Sequence, residues 1–143
     1  MKLFYFLACF LISCSVFAQY TPALYIERYG ALADSLSAVY GVPACVILSV
    51  AMLETGYGSS RLARENNNHF GIRDGRRYRR YDSVGESYRD FCVLLSSSRR
   101  YAALFALCGS DYRGWAYGLQ ECGYATDTRY AGKLIWIIEC FML

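Results

Sequence analysis

The chain has 143 residues, of which 55% are hydrophobic and 17% are aromatic. This length allows one domain with a hydrophobic core but not two, and the apolar content excludes a disordered chain. The net charge of +3 falls to about +2 without Lys2, which is too small to indicate nucleic-acid binding. A modest positive charge is compatible with an acidic polymer as partner.

Residues 1–18 are predicted to be a signal peptide. Lys2 precedes an almost uncharged apolar run over residues 3–17, and the small residue Ala18 comes directly before Gln19. A basic start, a short apolar run and small residues before the cleavage site are typical of secretory signals. The run is slightly short for a membrane span, which needs about 20 residues. We therefore expect a single mature domain over residues 19–143.

A second interpretation of this leader concerns Cys14. The segment Leu11-Ile12-Ser13-Cys14 resembles a bacterial lipobox, in which the cysteine is lipidated and tethers the protein to a membrane. We favour a cysteine that happens to lie in an apolar run, with the membrane tether as the alternative. Both interpretations predict export from the cytoplasm, to the periplasm or the cell envelope.

The spacing of apolar residues predicts helices over most of the mature chain. Residues 22–40 have apolar positions at helical intervals, and Gly41 ends this helix. Pro43 begins a second helix at residues 44–53, which is apolar on nearly every face and is therefore expected to be buried. Further helices are predicted at residues 59–65, 83–96, 99–108, 111–122 and 127–143. The apolar end of the last helix is expected in the core.

A small β hairpin is predicted at residues 70–81. Apolar and aromatic residues flank Asp74-Gly75, a dipeptide that is a strong signal for a hairpin turn. Ser83 and Glu86 then have the spacing of a capping box, which predicts the start of the next helix. The fold class is accordingly predicted as mainly α (α+β), a single domain with a small hairpin lobe.

Glu54 is the candidate catalytic residue. It lies at the C-terminal end of a helix whose other side chains are nearly all apolar. Burial and the helix C-terminus both disfavour the charged carboxylate and raise its pKa. A neutral carboxyl beside a cleft is what a general acid requires, and glycoside cleavage is the reaction that most often needs one. From this residue alone, a Glu that pairs with an arginine at a helix end is equally well supported.

Three separated motifs add to this evidence. They resemble, in the same order, those of the glucosaminidase domains of glycoside hydrolase family 73, and the resemblance extends over about residues 24–138. The motifs are Glu54-Thr55-Gly56-Tyr57-Gly58-Ser59-Ser60, Asn67-Asn68-His69-Phe70-Gly71-Ile72 and Gly123-Tyr124-Ala125-Thr126-Asp127, with Tyr130-Ala131 shortly after.

The resemblance implies a lysozyme-like, mainly helical fold with a substrate cleft beside a small β lobe. Glu54 matches the catalytic acid of the family, and Tyr124 matches a tyrosine that lines its active site. Four further residues match motif positions near the cleft and are expected to bind substrate: Tyr57, Asn68, Phe70 and Tyr130. For Tyr124 and these four residues the alternative is ordinary packing or turn formation.

The sequence gives no clear second carboxylate. Many members of the family carry one in a longer β lobe, whereas Asp74 here fits the hairpin turn, Glu86 fits the capping box and Asp82 is expected to face solvent. Water could be activated by Asp74 or Asp82, or the acetamido group of the substrate could assist, or Tyr124 could position the nucleophile. The stereochemical outcome is therefore left open.

The sequence also contains five arginines within residues 73–80 and a single histidine. The arginines could bind the carboxylates of peptide stems or anionic wall polymers, but we favour a solvated surface; they are Arg73, Arg76, Arg77, Arg79 and Arg80. His69 has no metal-ligand partners at suitable spacing, so neither a metal nor another cofactor is expected.

The sequence therefore predicts a monomeric peptidoglycan hydrolase whose partner is the glycan strand. We expect an endo-β-N-acetylglucosaminidase that cleaves a β-1,4 bond, with Glu54 as its general acid. One alternative is a lytic transglycosylase of the same fold, in which an intramolecular hydroxyl replaces water. Another is a catalytically inactive wall-binding module, against which the retained Glu54 argues because burying a carboxyl is costly.

Overall fold

The computed structural model describes residues 19–143, so the predicted signal peptide and Cys14 lie outside the described residues. Within this range six α-helices, one 3₁₀-helix and two short strands follow one another. They are α1 (Pro22–Tyr40), α2 (Ala44–Thr55), α3 (Arg61–Asn66), β1 (Arg73–Asp74), β2 (Arg77–Tyr78), α4 (Val84–Ser97), the 3₁₀-helix (Arg99–Ala106), α5 (Tyr112–Glu121) and α6 (Tyr130–Phe141). The predicted class, mainly α with a small hairpin, is confirmed.

Helix α2 lies at the centre of the domain. Eight of its twelve residues are buried, as expected for a helix that is apolar on nearly every face. It packs against α1 on one side and α6 on the other, while α5 packs along α6. Because α2 is surrounded by other helices, its C-terminal residue positions are fixed by the whole core.

The hairpin differs from its sequence prediction by one residue. Arg73 pairs with Tyr78 and Asp74 pairs with Arg77, so the two-residue loop is Gly75-Arg76 rather than Asp74-Gly75. Gly75 has a φ of 58°, and glycine is the residue that accepts a positive φ at the first loop position without strain. Asp74 is therefore the last residue of β1.

The cap of α4 also differs in detail from the predicted capping box. The Ser83 hydroxyl accepts a hydrogen bond from the Glu86 backbone N–H at 3.3 Å, as predicted. The Glu86 carboxylate, however, accepts from the backbone N–H of Asp82 at 3.0 Å rather than from that of Ser83. Glu86 is thus used by the helix start and not by the cleft.

The C-terminal helix is only partly in the core. One face of α6 is buried and includes Leu134, Ile135 and Ile138, whereas 57% of Trp136 is exposed. The expectation that this apolar end lies in the core therefore holds for one face of the helix, and the opposite face is left to solvent. Within residues 19–143 no helix is both long enough and apolar enough to cross a membrane.

Candidate active site

A cleft of about 1070 Å³ lies between the hairpin and the helical body. Its walls come from the end of α2, the hairpin, α4, the start of the 3₁₀-helix and the loop that follows α5. Polar and aromatic side chains dominate the lining: Glu54, Phe70, Arg73, Tyr78, Arg79, Asp90, Ser97, Arg100, Tyr101, Tyr124 and Thr126. Glu54 of the first motif, residues 70–72 of the second and residues 124–126 of the third therefore meet at one concave surface.

Glu54 reaches this cleft because α2 ends abruptly just beyond it. Gly56, Tyr57 and Gly58 have φ values of 54°, 60° and 85°, so three successive residues are left-handed. The Thr55 hydroxyl stabilises this turn by accepting a hydrogen bond from the Gly58 backbone N–H at 2.8 Å. A positive φ at a tyrosine is a local strain that the surrounding contacts must support.

The carboxyl of Glu54 faces the cleft with one oxygen held by a tyrosine. The Tyr130 hydroxyl donates to Oε1 at 2.9 Å. On the other side, a Cβ added to Gly71 would lie 3.7 Å from Oε2. Gly71 has a φ of 66°, a conformation that favours glycine, so the backbone passes Oε2 without a side chain.

Two opposing effects set the pKa of Glu54. Desolvation by the surrounding protein raises the pKa, and the hydrogen bond from Tyr130 lowers it, with a net rise. By accessible area Glu54 is nevertheless an exposed residue, so the burial expected from the sequence is only partial. Solvent reaches the residue from the open side of the cleft, while its inner side is packed against protein.

Tyr124 and Tyr130 are neighbours, with ring centroids 5.9 Å apart; Tyr124 lines the cleft, whereas Tyr130 is 3% exposed and does not line it, contrary to the substrate contact predicted from the sequence. The Tyr124 hydroxyl donates to the Phe70 carbonyl oxygen at 3.0 Å, which joins the loop after α5 to the hairpin lobe. Burial, followed by nearby ionisable groups that include Glu54, raises the pKa of both phenols. Both tyrosines are therefore neutral hydrogen-bond donors and not phenolate bases.

Asn68 is not available to substrate, contrary to the sequence prediction. Its side chain is 1% exposed and makes four hydrogen bonds to backbone groups. Its amide donates to the carbonyls of Ile72 and Arg79 at 2.8 and 3.0 Å, and its oxygen accepts from the N–H groups of Phe70 and Ile72. Because all its donors and acceptors are used, Asn68 fixes the base of the hairpin instead.

Phe70 and Tyr57 occupy different places. Phe70 is 3% exposed and stacks on Phe91 at a centroid distance of 4.2 Å, so it supports the floor of the cleft. Tyr57 does not line the cleft with Glu54. It lines an apolar groove between α2 and α6 together with Trp136, because the left-handed turn after Glu54 directs it to that side.

The second carboxylate of the cleft is one that the sequence did not indicate. Asp74 and Asp82 are not among the lining residues, whereas Asp90 of α4 is. Asp90 accepts from the Arg79 guanidinium at 2.7 Å and from the Tyr81 hydroxyl at 2.6 Å. The sequence pattern of α4 gives no sign that Asp90 differs from an ordinary solvent-facing acid. Asp90 lies in the cleft because Arg79 and Tyr81, which follow β2, pack beside it.

His69 has a structural role. It is 3% exposed, and its Nδ1 lies 2.6 Å from the Tyr25 hydroxyl. Burial lowers the pKa of His69 to about 4, so the imidazole is neutral at physiological pH. Among residues 19–143 no group of three or more His, Cys, Asp or Glu side chains is arranged to hold a metal ion.

Comparisons with known proteins agree with this geometry. The model of the glucosaminidase family, described as mannosyl-glycoprotein endo-beta-N-acetylglucosaminidase, matches residues 30–143. The peptidoglycan hydrolase FlgJ of Escherichia coli is 32% identical over an alignment of 127 positions, which covers 69% of this chain and 40% of that protein. The exo-glucosaminidase LytG of Bacillus subtilis is 28% identical over an alignment of 147 positions, which covers 84% of this chain and 51% of that protein.

A solved structure extends the similarity to three dimensions. The glycoside hydrolase domain of Salmonella typhimurium FlgJ is similar with a TM-score of 0.72 and 30% identity, covering 85% of this chain and 89% of that domain. The chain thus matches nearly all of a glycoside hydrolase domain, while it spans about half or less of the length of the two curated relatives.

Proposed function

Because the chain belongs to the glucosaminidase family, glycoside hydrolase family 73, we propose that it hydrolyses the β-1,4 bonds of peptidoglycan glycan strands with Glu54 as general acid. The observation that carries this proposal is the carboxyl of Glu54 in the cleft, with a raised pKa and a hydrogen bond from Tyr130. An endo-β-N-acetylglucosaminidase is the specific activity we propose, and Tyr124 contributes to the site.

Tyr130 decides which oxygen of Glu54 carries the proton. Since the tyrosine donates to Oε1, that oxygen acts as the acceptor and the proton of the neutral acid resides on Oε2. Oε2 faces Gly71, where no side chain blocks its approach to a glycosidic oxygen. The proton passes to the leaving oxygen as the C–O bond breaks, and the hydrogen bond from Tyr130 then stabilises the new carboxylate.

The other half of the reaction needs a nucleophile at the anomeric carbon. For hydrolysis, water supplies the hydroxyl group, and its second proton returns to solvent or to Glu54. The Tyr124 hydroxyl uses its hydrogen in the bond to the Phe70 carbonyl, so its oxygen remains an acceptor that can orient this water. Asp90 is already bound by Arg79 and Tyr81, which makes it a weaker candidate base.

This engagement of Asp90 favours a second candidate, a lytic transglycosylase. In that reaction an intramolecular sugar hydroxyl attacks the anomeric carbon and leaves an anhydro sugar, so no second carboxylate is needed to activate water. Hydrolysis adds water across the cut and transglycosylation does not, which makes the product mass decisive.

The test is mass spectrometry of peptidoglycan digested by the mature chain and by Glu54→Gln. The wild type is expected to release fragments with a reducing N-acetylglucosamine end, and Glu54→Gln should be slower by about 10²–10⁴-fold. Glu65→Gln is the matched control, because Glu65 is an exposed carboxylate on α3 that pairs with Arg61 and does not line the cleft.

Each other product has a defined meaning. Anhydro ends would identify a transglycosylase, and reducing N-acetylmuramic acid ends would move the cut to the other bond. Long fragments indicate endo cleavage and released single units indicate exo cleavage. No fragments from any variant, on a sample that a known hydrolase digests, would favour an inactive wall-binding module.

We further propose that residues 1–18 direct export to the periplasm or cell envelope and that the mature chain is a monomer that needs no cofactor. The peptidoglycan substrate proposed above lies outside the cytoplasm, which supports export. Mass analysis of the exported protein would find Gln19 at its N-terminus, whereas a lipidated Cys14 would establish the membrane tether. Light scattering of the mature chain checks the monomer.

A further inference from the structure

The fold separates the five arginines between residues 73 and 80. All five are exposed, but only Arg73 and Arg79 line the cleft that contains Glu54. The other three lie outside the cleft, on the hairpin loop, on β2 and just after β2; they are Arg76, Arg77 and Arg80. The solvated surface favoured from the sequence therefore accounts for three of these residues. The other two, Arg73 and Arg79, face the cleft instead.

The two cleft arginines differ in what they bind. Arg79 is paired with Asp90 at 2.7 Å, so its charge is compensated. Arg73 donates to the Tyr78 hydroxyl at 2.6 Å and lies 4.2 Å over the same ring, and none of the ion pairs among residues 19–143 includes it. Its cross-strand partner Tyr78 thus holds the guanidinium in place while most of its N–H donors stay available.

The whole cleft carries more positive than negative charge. Its charged lining residues are Glu54 and Asp90 against Arg73, Arg79 and Arg100. Arg100 binds the backbone carbonyls of Cys122 and Gly123, which are neutral. With Asp90 paired and Glu54 protonated for catalysis, two uncompensated positive charges face the substrate. An uncharged sugar chain would gain little from them.

We propose that Arg73 binds a carboxylate of the peptide stem, so that the enzyme prefers stem-bearing strands over strands without that charge. This inference rests on the proposed function. In stem-bearing peptidoglycan the lactyl group of the muramic acid is amide-linked, and the free carboxylates are those of the peptide. A guanidinium held by Tyr78 presents a planar fork of donors that matches a carboxylate in two parallel hydrogen bonds.

The experiment compares two substrates that differ only in stem charge. Solubilised glycan strands are first N-acetylated on their free amino groups, and half of the sample is then converted to stem carboxamides with carbodiimide and ammonia. The kcat/KM of the mature wild type, Arg73→Ala and Arg76→Ala is measured on both substrates. Arg76→Ala is the matched control, since it removes the same charge from the same hairpin outside the cleft.

The wild type and Arg76→Ala should cleave the carboxylate strands about two- to fivefold faster than the carboxamide strands, the size expected for a solvent-exposed ion pair. High salt should reduce that ratio. Arg73→Ala should cleave both substrates at the rate of wild type on carboxamide strands. Equal wild-type rates on the two substrates, or an equal loss on both in Arg73→Ala, would overturn the inference alone. No cleavage of either substrate by the wild type would overturn the proposed function instead.

Discussion

The helical body and the hairpin lobe, which form the two sides of the cleft, are held in place by different interactions. Glu54 belongs to α2, whose buried residues pack against α1 and α6. The strands opposite, β1 and β2, contain no buried residue. The hairpin is instead attached through hydrogen bonds from Asn67 and Asn68 to its backbone and through the pairing of Arg79 with Asp90.

Because of this difference, variants of the body and variants of the hairpin should affect different properties, the stability of the domain and the binding of substrate. Packing in the body fixes the acid, so a body variant should change the free energy of unfolding of the whole domain. The hairpin is fixed by a few polar contacts, so its variants should act mainly on local order and on activity. Regions with few buried contacts open more easily than the core around them.

The largest expected effect is on the body. Leu95→Ala removes a side chain that is 0% exposed on α4 and should lower the free energy of unfolding by about 2–5 kcal/mol. Leu24→Ala makes the same change at a position that is 40% exposed, and about 0.5 kcal/mol or less is expected there. Urea unfolding followed by circular dichroism measures the free energy of unfolding of both variants. Similar decreases in the two variants would contradict the view that packing in the body fixes the stability of the domain.

Asn68→Ala should produce an intermediate effect that is concentrated at the hairpin. Its loss removes the side-chain partners of two part-buried backbone groups, the Ile72 N–H and the Arg79 carbonyl, at a cost of about 1–3 kcal/mol. Amide exchange should speed up in residues 70–81 much more than in α2, with a fall in kcat/KM.

Asn66→Ala is the control for this variant, because no side-chain hydrogen bond of Asn66 occurs among the described residues. It should leave both exchange and activity close to wild type. Uniform acceleration of exchange across the domain in Asn68→Ala would mean that the hairpin and the body unfold as one unit.

The smallest expected effect is at the link between the two regions. Tyr124→Phe removes the hydroxyl that donates to the Phe70 carbonyl and should cost about 0.5–1.5 kcal/mol of stability. A several-fold loss of kcat should accompany it if the hydroxyl oxygen also orients water. Tyr117→Phe, at a position 52% exposed and outside the cleft, should change neither quantity.

The helical body was largely predictable because its signals are local. Helix α1 was predicted at its observed bounds, and the all-apolar pattern of α2 identified the buried helix. The ends of α2 and α4 were also set by nearby residues, Gly56 and Ser83. Local caps and periodicity carry this information whatever the tertiary arrangement.

The cleft was less predictable because its members meet through long-range contacts. Asp90 lies on an unremarkable helix face and enters the cleft only because Arg79 and Tyr81 return beside it. Asn68 looked like a substrate contact since its motif surrounds the site, yet the hairpin uses its whole side chain. A motif shows which residues lie near a site but not which way each of them points.

The folded domain raises the pKa of Glu54, as a general acid requires, and a measurement of this pKa tests the proposed role of Glu54 most directly. Titration of the ¹³C-labelled carboxyl by NMR, assigned with Glu54→Gln, should give a pKa above the usual value of about 4.3. Tyr130→Phe should raise that pKa further, because the hydrogen bond it removes stabilises the carboxylate. The protonated form is the active acid, so kcat/KM should fall as the pH rises through the same value. A wild-type pKa at or below the usual value, or a decrease in Tyr130→Phe, would contradict the account.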